Sequence, residues 1–582
     1  MARAHGFTAA IAGATAAVMA GVPAVSSAEV SPPSSAGAQH PDVVRAPQWV
    51  AVRDPKVAVV GSSVDLVGSG FTVVDGTGTP VLAGTLSAVP SGLDGEAVDT
   101  EGWARMALAD FSALVTPGTY RVRAGNAVEA TVTVAQEPYA GVLSSLLSIY
   151  NVNADGREST FHRPSHLRDA HSAIANGPRR GTRVDVAGGW MDSGDQLKFT
   201  VTIAYATSML QLAARSYPAG ASSLRKIADI GVRWLLKAHP RRDVFVSQVG
   251  NADVDHNSGF RDPVRDDASS TPALRNRPSS VLTPATGGAD VAAAASAALA
   301  IAAQRAGGDR RAVLIRAARA WLVQALALGR PWRNDFYGQT SWRDDVAMAR
   351  VELGAAAGVT SQFDQALVDL EATLTDGGPG GTVQGWEVLA DGFEMAAMPL
   401  ARLCGVLGGP LAVRAVVRDR ACELLRLGAA DVEYKARLNA FGRPAPYSWG
   451  TTRGVAAGSL TALLGGRAGA GPGEAMAVRG VGWLLGANPW GRRWQAGFGV
   501  QRPYHWAQIT RGGAAPVGAL VGGPAPVADI TANALPGNPY APGLFDTAAV
   551  GYRDSGRDYV TNEVGIPYSA PAVLLSALLA SR

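Results

Sequence analysis

Apolar residues recur at helical spacing over most of the chain, from about Gln136 to the C-terminus. Convincing strands are scarce between these segments, which argues against a parallel α/β sheet. About a dozen helices joined by long loops rich in glycine and proline predict a helical barrel, with function carried by the loops at one end. Examples of segments with this period are 201–215, 222–238, 289–306, 311–329, 344–357, 410–427, 453–464, 474–486 and 569–581.

Four of the predicted loops are too long to be simple connections. They span residues 240–288, 330–343, 435–452 and 487–568, and they contain most of the Trp, His and Tyr residues outside the helices. We therefore expect these loops to form the functional end of the barrel, which would occupy residues 137–582.

A different pattern, with a period near two, extends over residues 46–135. Short β-branched runs such as Val57–Val60, Thr119–Val122 and Ala130–Val134 are separated by glycine-containing turns. This spacing predicts a small all-β sandwich of the immunoglobulin-like kind. No catalytic constellation occurs in it, so a structural module packed on the next domain is favoured over a ligand-binding one.

The N-terminus has the pattern of an export signal over residues 1–28. Arg3 precedes an apolar stretch from Phe7 to about Val22, and the small residues Ser26–Ala28 suit a cleavage site. A buried N-terminal helix is the alternative. Residues 29–45 are rich in Ser, Pro and Ala and are predicted to be a linker. No second stretch is long and apolar enough for a membrane span, so we expect a secreted, soluble protein.

Composition narrows the class of protein. The 582 residues are 47% hydrophobic and 17% charged, with a formal net charge of +4 and no dense basic stretch. A packed globular protein is indicated, and nucleic acid is a poor candidate for a partner. The two cysteines, Cys404 and Cys422, exclude a disulfide-rich scaffold. They fit either two buried thiols or one disulfide.

Two acidic clusters lie far apart in the chain. In Gly188–Asp195, two carboxylates, Asp192 and Asp195, lie three residues apart in a glycine-rich segment. Such a pair suits a general base that holds a water and a neighbour that orients it. An Asx-turn or a helix cap is the alternative.

The second cluster is Asp558–Glu563, close to the C-terminus. Glu563 lies between Tyr559 and Tyr568, and a Glu shielded by apolar neighbours can stay protonated and act as a general acid. An exposed Glu at a helix start is the alternative.

Several blocks of the chain closely resemble glycoside hydrolase family 9, which consists mainly of cellulases with an (α/α)6 barrel. The two acidic clusters match its signature regions, and further blocks match in the same order. These are Trp234–Pro240, Gln248–Asp253, Asp255–His256, Gly288–Ala292, Ser341–Asp345, Leu484–Pro489 and Ala496–Gly499. The segment 46–135 resembles the immunoglobulin-like domain that precedes the barrel in one branch of the family.

The resemblance implies catalytic roles for the three acids. Asp195 matches the general base, Asp192 its partner in holding the water, and Glu563 the general acid of an inverting hydrolase. The other matched positions are the substrate-binding residues His256, Trp449, His505 and Tyr568.

The resemblance also implies a metal site, although no cofactor is required for the chemistry. Asp344 and Asp345 match positions that bind calcium in some relatives, and adjacent carboxylates suit an oxygen-loving ion. A helix N-terminus that favours acids is the alternative.

The chain departs from the family pattern around the acids. The usual Trp-Gly-Ser-Asn-Ser is here Trp449–Arg453, and only one histidine, His505, stands where the family often has a pair. The resemblance implies hydrolysis of β-1,4-glucosidic bonds in cellulose or a related β-glucan, and these departures leave room for other interpretations. The alternatives are an exo-acting glycosidase for a glucosamine-type or other β-linked oligosaccharide, and a catalytically silent carbohydrate-binding protein.

Overall fold

The computed structural model describes residues 40–92, 95–334, 336–376 and 395–582. The predicted export signal and residues 29–39 of the predicted linker lie outside the described residues.

Two packed β-sheets form the N-terminal domain. One has the strand order β1-β3-β7-β6 and the other β2-β9-β8-β4-β5, and every pairing is antiparallel except that of β2 with β9. The strands are β1 (Val43–Arg45), β2 (Trp49–Ala51), β3 (Val57–Ser62), β4 (Gly70–Val74), β5 (Pro80–Thr85), β6 (Ser87–Ala88), β7 (Arg105–Asp110), β8 (Gly118–Ala124) and β9 (Ala130–Ala135).

Alternation along the strands fills the space between the two sheets. Val60, Phe71 and Val122 point inward from three different strands and are at most 3% exposed. The sandwich begins at Val43, three residues before the predicted boundary, because β1 pairs with β3. The last strand, β9, ends at Ala135.

Twelve helices within the described residues form the second domain as two concentric rings. The inner helices are α2 (Thr200–Ser216), α4 (Ala289–Arg305), α6 (Arg343–Ala357), α8 (Ala397–Cys404), α10 (Thr451–Arg467) and α12 (Ile566–Ala580). Each inner helix contacts the next, and α12 closes the ring against α2. The outer helices are α1 (Pro138–Leu146), α3 (Ala221–Lys237), α5 (Gly308–Leu328), α7 (Ser361–Asp376), α9 (Ala415–Arg437) and α11 (Gly473–Leu484). The predicted (α/α)6 barrel is confirmed.

The inner and outer helices differ in the size and polarity of their side chains. The inner helix α4 is rich in alanine and buried almost throughout, so that neighbouring helices approach on all sides. The outer helix α3 buries only one face, which carries Leu224, Val232 and Leu235 at helical spacing. A disulfide joins Cys404 at the end of α8 to Cys422 in α9, which settles the alternative left open by the sequence.

The segments before five of the inner helices, α2, α4, α6, α10 and α12, meet at one end of the barrel. The acidic segment precedes α2, and the segment with Glu563 precedes α12. The long loops before α4, α6 and α10 join the same end, as expected from their length. They also contain short elements, including the helices Ala252–Asn257 and Trp506–Arg511.

Polar and aromatic contacts fix the sandwich to the barrel. Asp54 accepts hydrogen bonds from the Tyr139 hydroxyl at 2.5 Å and from the Arg582 guanidinium at 2.8 Å. A sandwich loop that ends at Trp103 pairs Asp99 with Asn439 and stacks the Trp103 ring on Phe545. No helix among the described residues has the length and apolar character of a membrane span.

Candidate active site

The segment Gly188–Gln196, here called the catalytic turn, is held in a compact shape by its backbone. The Met191 amide donates to Asn153 O, and the Asp192 amide donates to Leu197 O at 2.8 Å. Gly189 has φ of +77°, and a Cβ there would come within 2.6 Å of the Trp234 ring. Only glycine fits both demands.

Asp192 is buried at the inner side of the turn, with 1% of its surface exposed. The Tyr337 hydroxyl donates a hydrogen bond to its Oδ2. Burial, followed by the charge of Asp195, raises the pKa of Asp192 to about 7, while hydrogen bonds from Thr202 and Tyr337 oppose the rise. Tyr337 was not identified from the sequence, although it lies in the loop 330–343 whose length indicated a function.

Asp195 faces the cleft, and 16% of its side chain is exposed. Its Oδ1 accepts from the Leu197 amide at 3.0 Å, and its Oδ2 lies 3.1 Å from Nε2 of His256. Burial lowers the pKa of His256, but the hydrogen bond and charge of Asp195 outweigh it and raise the pKa to about 9. The His256 imidazolium therefore pairs with Asp195, and part of the Asp195 carboxyl group stays exposed to the cleft.

The C-terminal cluster reaches the catalytic turn through backbone pairing. The Gly522 amide donates to Glu563 O at 2.8 Å, and the Ile566 amide donates to Asp192 O at 2.9 Å. Oε1 of Glu563 then accepts from the Ser193 hydroxyl at 3.1 Å and from the Gly194 amide at 3.3 Å. The structure thus brings the two acidic clusters together.

Glu563 has the surroundings of a protonated acid. Burial comes first among the causes, and the charges of Asp195 and Asp192 add to it, raising the pKa of Glu563 to about 8. Gly194 allows the close approach, because a Cβ there would lie 2.7 Å from Tyr504 O and 3.2 Å from Glu563 Oε1. At neutral pH this carboxyl keeps a proton that it can donate.

Aromatic rings surround the acids. Tyr568, only 8% exposed, lies close enough to Glu563 for its charge to add to burial in raising the tyrosine pKa. The Trp449 ring packs against Tyr559 at 5.6 Å between centroids and hydrogen-bonds Tyr568. Tyr504 in turn stacks edge-on with Phe260 at 4.4 Å. Of the predicted substrate-binding residues, the structure brings His256, Trp449 and Tyr568 to the acids.

His505 does not reach the cleft. It is fully buried, its Nδ1 accepts from the Ala507 amide, and its Nε2 donates to Asn153 Oδ1 at 2.8 Å. The Asn153 amide then donates to Met191 O and Ser193 O. Burial lowers the pKa of His505 to about 3, so the ring is neutral. Its contacts are those of a residue that supports the catalytic turn, which corrects the expected contact with substrate.

Asp344 and Asp345 are buried at the N-terminus of α6. Asp344 Oδ2 accepts from the Met395 amide at 2.8 Å, a contact that also suits an acid at a helix start. Among the described residues, no group of three or more His, Cys, Asp and Glu side chains is arranged to hold a metal ion. The calcium site stays a prediction.

Known protein families and solved structures match both domains of the chain. The family described as Glycosyl hydrolase family 9 matches residues 139–576, and the domain described as Cellulase N-terminal ig-like domain matches residues 51–129. The chain is similar to a single-mutant thermostable endoglucanase from Alicyclobacillus acidocaldarius, with a TM-score of 0.71, 22% identity and coverage of 93% of this chain and 100% of that one. An endoglucanase from the termite Nasutitermes takasagoensis gives a TM-score of 0.58 at 22% identity, covering 76% and 98%.

Curated relatives are similar over part of their length. Endoglucanase 2 of Oryza sativa subsp. japonica is 28% identical over 375 residues, which is 57% of this chain and 56% of the relative. An endoglucanase of Dictyostelium discoideum is 26% identical over 481 residues, or 75% and 60%. The chain thus spans somewhat more than half the length of these two relatives. On the match over 139–576 and the barrel that closes around it, the chain belongs to glycosyl hydrolase family 9.

Proposed function

We propose that the protein hydrolyses β-1,4-glucosidic bonds in cellulose or a related β-glucan, with inversion at the anomeric carbon. The observation that carries the proposal is the meeting of Glu563 with the catalytic turn, where its Oε1 is bound by Ser193 and Gly194. A protonated carboxyl group then shares one cleft with the carboxyl groups of Asp192 and Asp195, and glycoside hydrolysis requires such a set of acids. The similarity to proteins named endoglucanases supports the choice of substrate.

In the proposed reaction, Asp195 takes a proton from a water molecule that attacks the anomeric carbon. Asp192, fixed by the Tyr337 hydroxyl, orients that water by accepting a hydrogen bond from its second O–H group. Glu563 gives its proton to the glycosidic oxygen as the bond to the leaving sugar breaks. Asp195 ends protonated and Glu563 ionised, and exchange with solvent restores both.

The test combines activity with stereochemistry. Purified protein is assayed for reducing ends on carboxymethylcellulose, mixed-linkage glucan and chitosan oligomers, and the first product formed is followed by proton NMR. We expect turnover of a β-glucan with the α-anomer appearing first. First appearance of the β-anomer would exclude inversion. Turnover of chitosan oligomers alone would favour the glucosamine-type glycosidase, and no turnover on any of them would favour a binding protein.

We further propose that the protein acts outside the cell. The Cys404–Cys422 disulfide supports this, because such bonds persist in oxidising compartments and are rare in the cytosol. Expression of the full chain with N-terminal sequencing of the secreted form tests it, and cleavage after Ala28 is the expected result.

The structural calcium predicted at Asp344 and Asp345 is tested separately. Metal analysis of the purified protein and its melting temperature with and without a chelator give the readout. A chelator-induced loss of stability that Asp345→Asn abolishes would support the site, and metal-free protein of unchanged stability would exclude it.

A further inference from the structure

Eight ionisable side chains form a charge network beneath the catalytic turn. Seven of them are at most 6% exposed, and the side chain of the eighth, Arg261, is 15% exposed. The four acidic members are Asp155, Asp169, Asp255 and Asp266, and the four basic members are His166, Lys198, Arg261 and Arg277. Burying a charge costs free energy unless the charge is paired and hydrogen-bonded. A largely buried assembly of eight such groups therefore indicates a functional role.

Lys198 joins the network to the first residues of the turn. Its ammonium lies 2.9 Å from Asp155 Oδ2 and 2.7 Å from Asp169 Oδ2, and none of its side chain is exposed. The same ammonium donates to Val186 O at 2.9 Å and to Gly188 O at 3.1 Å. Strand pairing of Lys198 with Val249 fixes its own backbone.

Arg277 and Arg261 join the network to Gln196, the last residue of the turn. Arg277 donates to Gln196 O at 2.5 Å, and the Gln196 side-chain amide donates to Arg261 O at 2.6 Å. Arg277 also lies 3.5 Å from Asp169, the carboxylate that Lys198 binds. Asp192 and Asp195 are thus carried on a segment whose two ends are attached to one assembly.

His166 completes the charge balance. Its Nδ1 lies 2.9 Å from Asp155 Oδ1, and its Nε2 lies 3.2 Å from both Asp266 Oδ2 and Gln196 Oε1. Burial and the charge of Arg277 lower the pKa of His166, but Asp155 and Asp266 outweigh them and raise it. The residue holds φ of +45°, a left-handed backbone that costs energy outside glycine and persists where the surroundings impose it.

The network also reaches the partner of the catalytic base. Arg261 binds Asp255 Oδ2 at 2.6 Å and both oxygens of Asp266. Asp255 directly precedes His256, whose imidazole is 3.1 Å from Asp195. The base and the imidazolium beside it therefore rest on the same set of ion pairs.

We propose that this network positions the catalytic turn, with Lys198 as the central positioning residue, and that it acts on turnover rather than on substrate affinity. The inference rests on the proposed function, because it assigns Asp195 to water activation. The members of the network are buried or nearly so, and the network therefore acts through the position of the turn. It fixes the two carboxylates of the turn relative to Glu563, and a displacement of about 1 Å in such a geometry can cost about 100-fold in rate.

Lys198→Met removes the ammonium while keeping an apolar chain of similar length. We expect kcat to fall about 10- to 100-fold with KM within about twofold of the wild type. Hydrogen exchange of the amides in 188–198 should become faster, since the backbone loses its anchor at Gly188 O. Arg402→Met is the matched control, because Arg402 forms an equally buried ion pair with Glu352 at 2.6 Å inside the barrel. It should lower the melting temperature but leave kcat per folded molecule and exchange in 188–198 unchanged.

Wild-type kcat and unchanged exchange in folded Lys198→Met would overturn the proposal, as would an equal loss of kcat in Arg402→Met. Should Lys198→Met fail to fold, the isosteric Asp266→Asn carries the test, with an expected loss of about 3- to 10-fold in kcat and the same local exchange. Lack of turnover by the wild type would reject the proposed function. The exchange measurement would still decide whether the network holds the turn.

Discussion

Two glutamates differ in the charged side chains around them. Glu101 lies at the junction of the sandwich with the barrel, and Glu563 lies in the cleft. Burial raises the pKa of both, to about 7 for Glu101 and about 8 for Glu563. Neither value follows from the residue type, and burial alone does not distinguish the two sites.

The largest charge effects on the two carboxyls differ in sign. Glu101 accepts from the Tyr447 hydroxyl at 2.8 Å and lies 3.5 Å from the Arg443 guanidinium, which lowers its pKa against burial. Glu563 is near Asp192 and Asp195, which raise its pKa further. A cation beside a buried Glu favours the ionised, paired form that suits an interface. Carboxylates beside it favour the protonated form that a general acid needs.

The largest expected effect is on turnover. Glu563→Gln should lower kcat by about 10²- to 10⁴-fold, because the variant cannot donate a proton. The melting temperature should not fall, since the amide is uncharged like the protonated acid. Glu101→Gln is the matched control and should retain kcat within about twofold. Equal losses of activity in the two variants would remove the distinction between the two sites.

The second effect is on stability, and its sign follows from the raised pKa of Glu101. The folded protein binds this proton more tightly than the unfolded chain, so the contribution to stability is complete below about pH 4.5 and is lost as the pH rises to about 7. The free energy of unfolding of Glu101→Gln, relative to the wild type, should therefore rise over this window, by about 3 kcal/mol at most.

Urea unfolding of both proteins at pH 4.5, 6 and 8 measures this difference. A difference that stays constant with pH would show that the Arg443 pairing fully offsets burial at Glu101.

A third effect concerns the tyrosines that donate to the two sites. Tyr337→Phe removes a hydrogen bond to Asp192, and a bond to a charged group is worth about 1.5–3 kcal/mol, which corresponds to a fall in kcat of about 10- to 100-fold. Tyr447→Phe should instead destabilise the fold and leave kcat unchanged. Steady-state kinetics and thermal unfolding of both variants provide the check, and a loss of kcat in Tyr447→Phe would contradict it.

The smallest effect is a shift in the pH profile. The rate should fall as the pH rises through about 8, because Glu563 loses its proton there. In Asp192→Asn the residual activity should fall at a lower pH, since one of the charges that raises the Glu563 pKa is gone. The alkaline limb of kcat/KM measures this, and Glu101→Gln should leave it in place. A limb that moved to higher pH in Asp192→Asn would contradict the electrostatic coupling.

Periodicity in the sequence identified most of the barrel helices, but α1, α7 and α8 are not among the segments named from it. The long segments at 289–306 and 453–464 were predicted within a few residues of α4 and α10. The helix α8 was missed, since eight residues containing Pro399 are too few to establish a period. It is stabilised by its neighbours and by the disulfide at Cys404.

The sequence also could not show which of two histidines in long loops reaches the cleft. His256 meets Asp195 at the cleft, whereas His505 is fully buried and acts through Asn153. Residue type and spacing do not show whether a side chain is buried, because burial depends on the elements packed around each ring. For the same reason the network around Lys198 was not anticipated, because its members come from separate segments between Asp155 and Arg277.

The three acids were proposed from their resemblance to the family's signature regions, whereas the two kinds of element and the order of the two domains were determined by the sequence itself. Local rules of spacing and turn chemistry act within a few residues, and they suffice for that. Only the tertiary structure decided that Ser193 and Glu563, which are 370 residues apart in the chain, share a hydrogen bond. That contact exists because α12 closes the inner ring beside α2, and ring closure depends on the packing of all twelve described helices at once. The proton on Glu563 follows from the same closure, because its neighbours rather than its residue type raise its pKa.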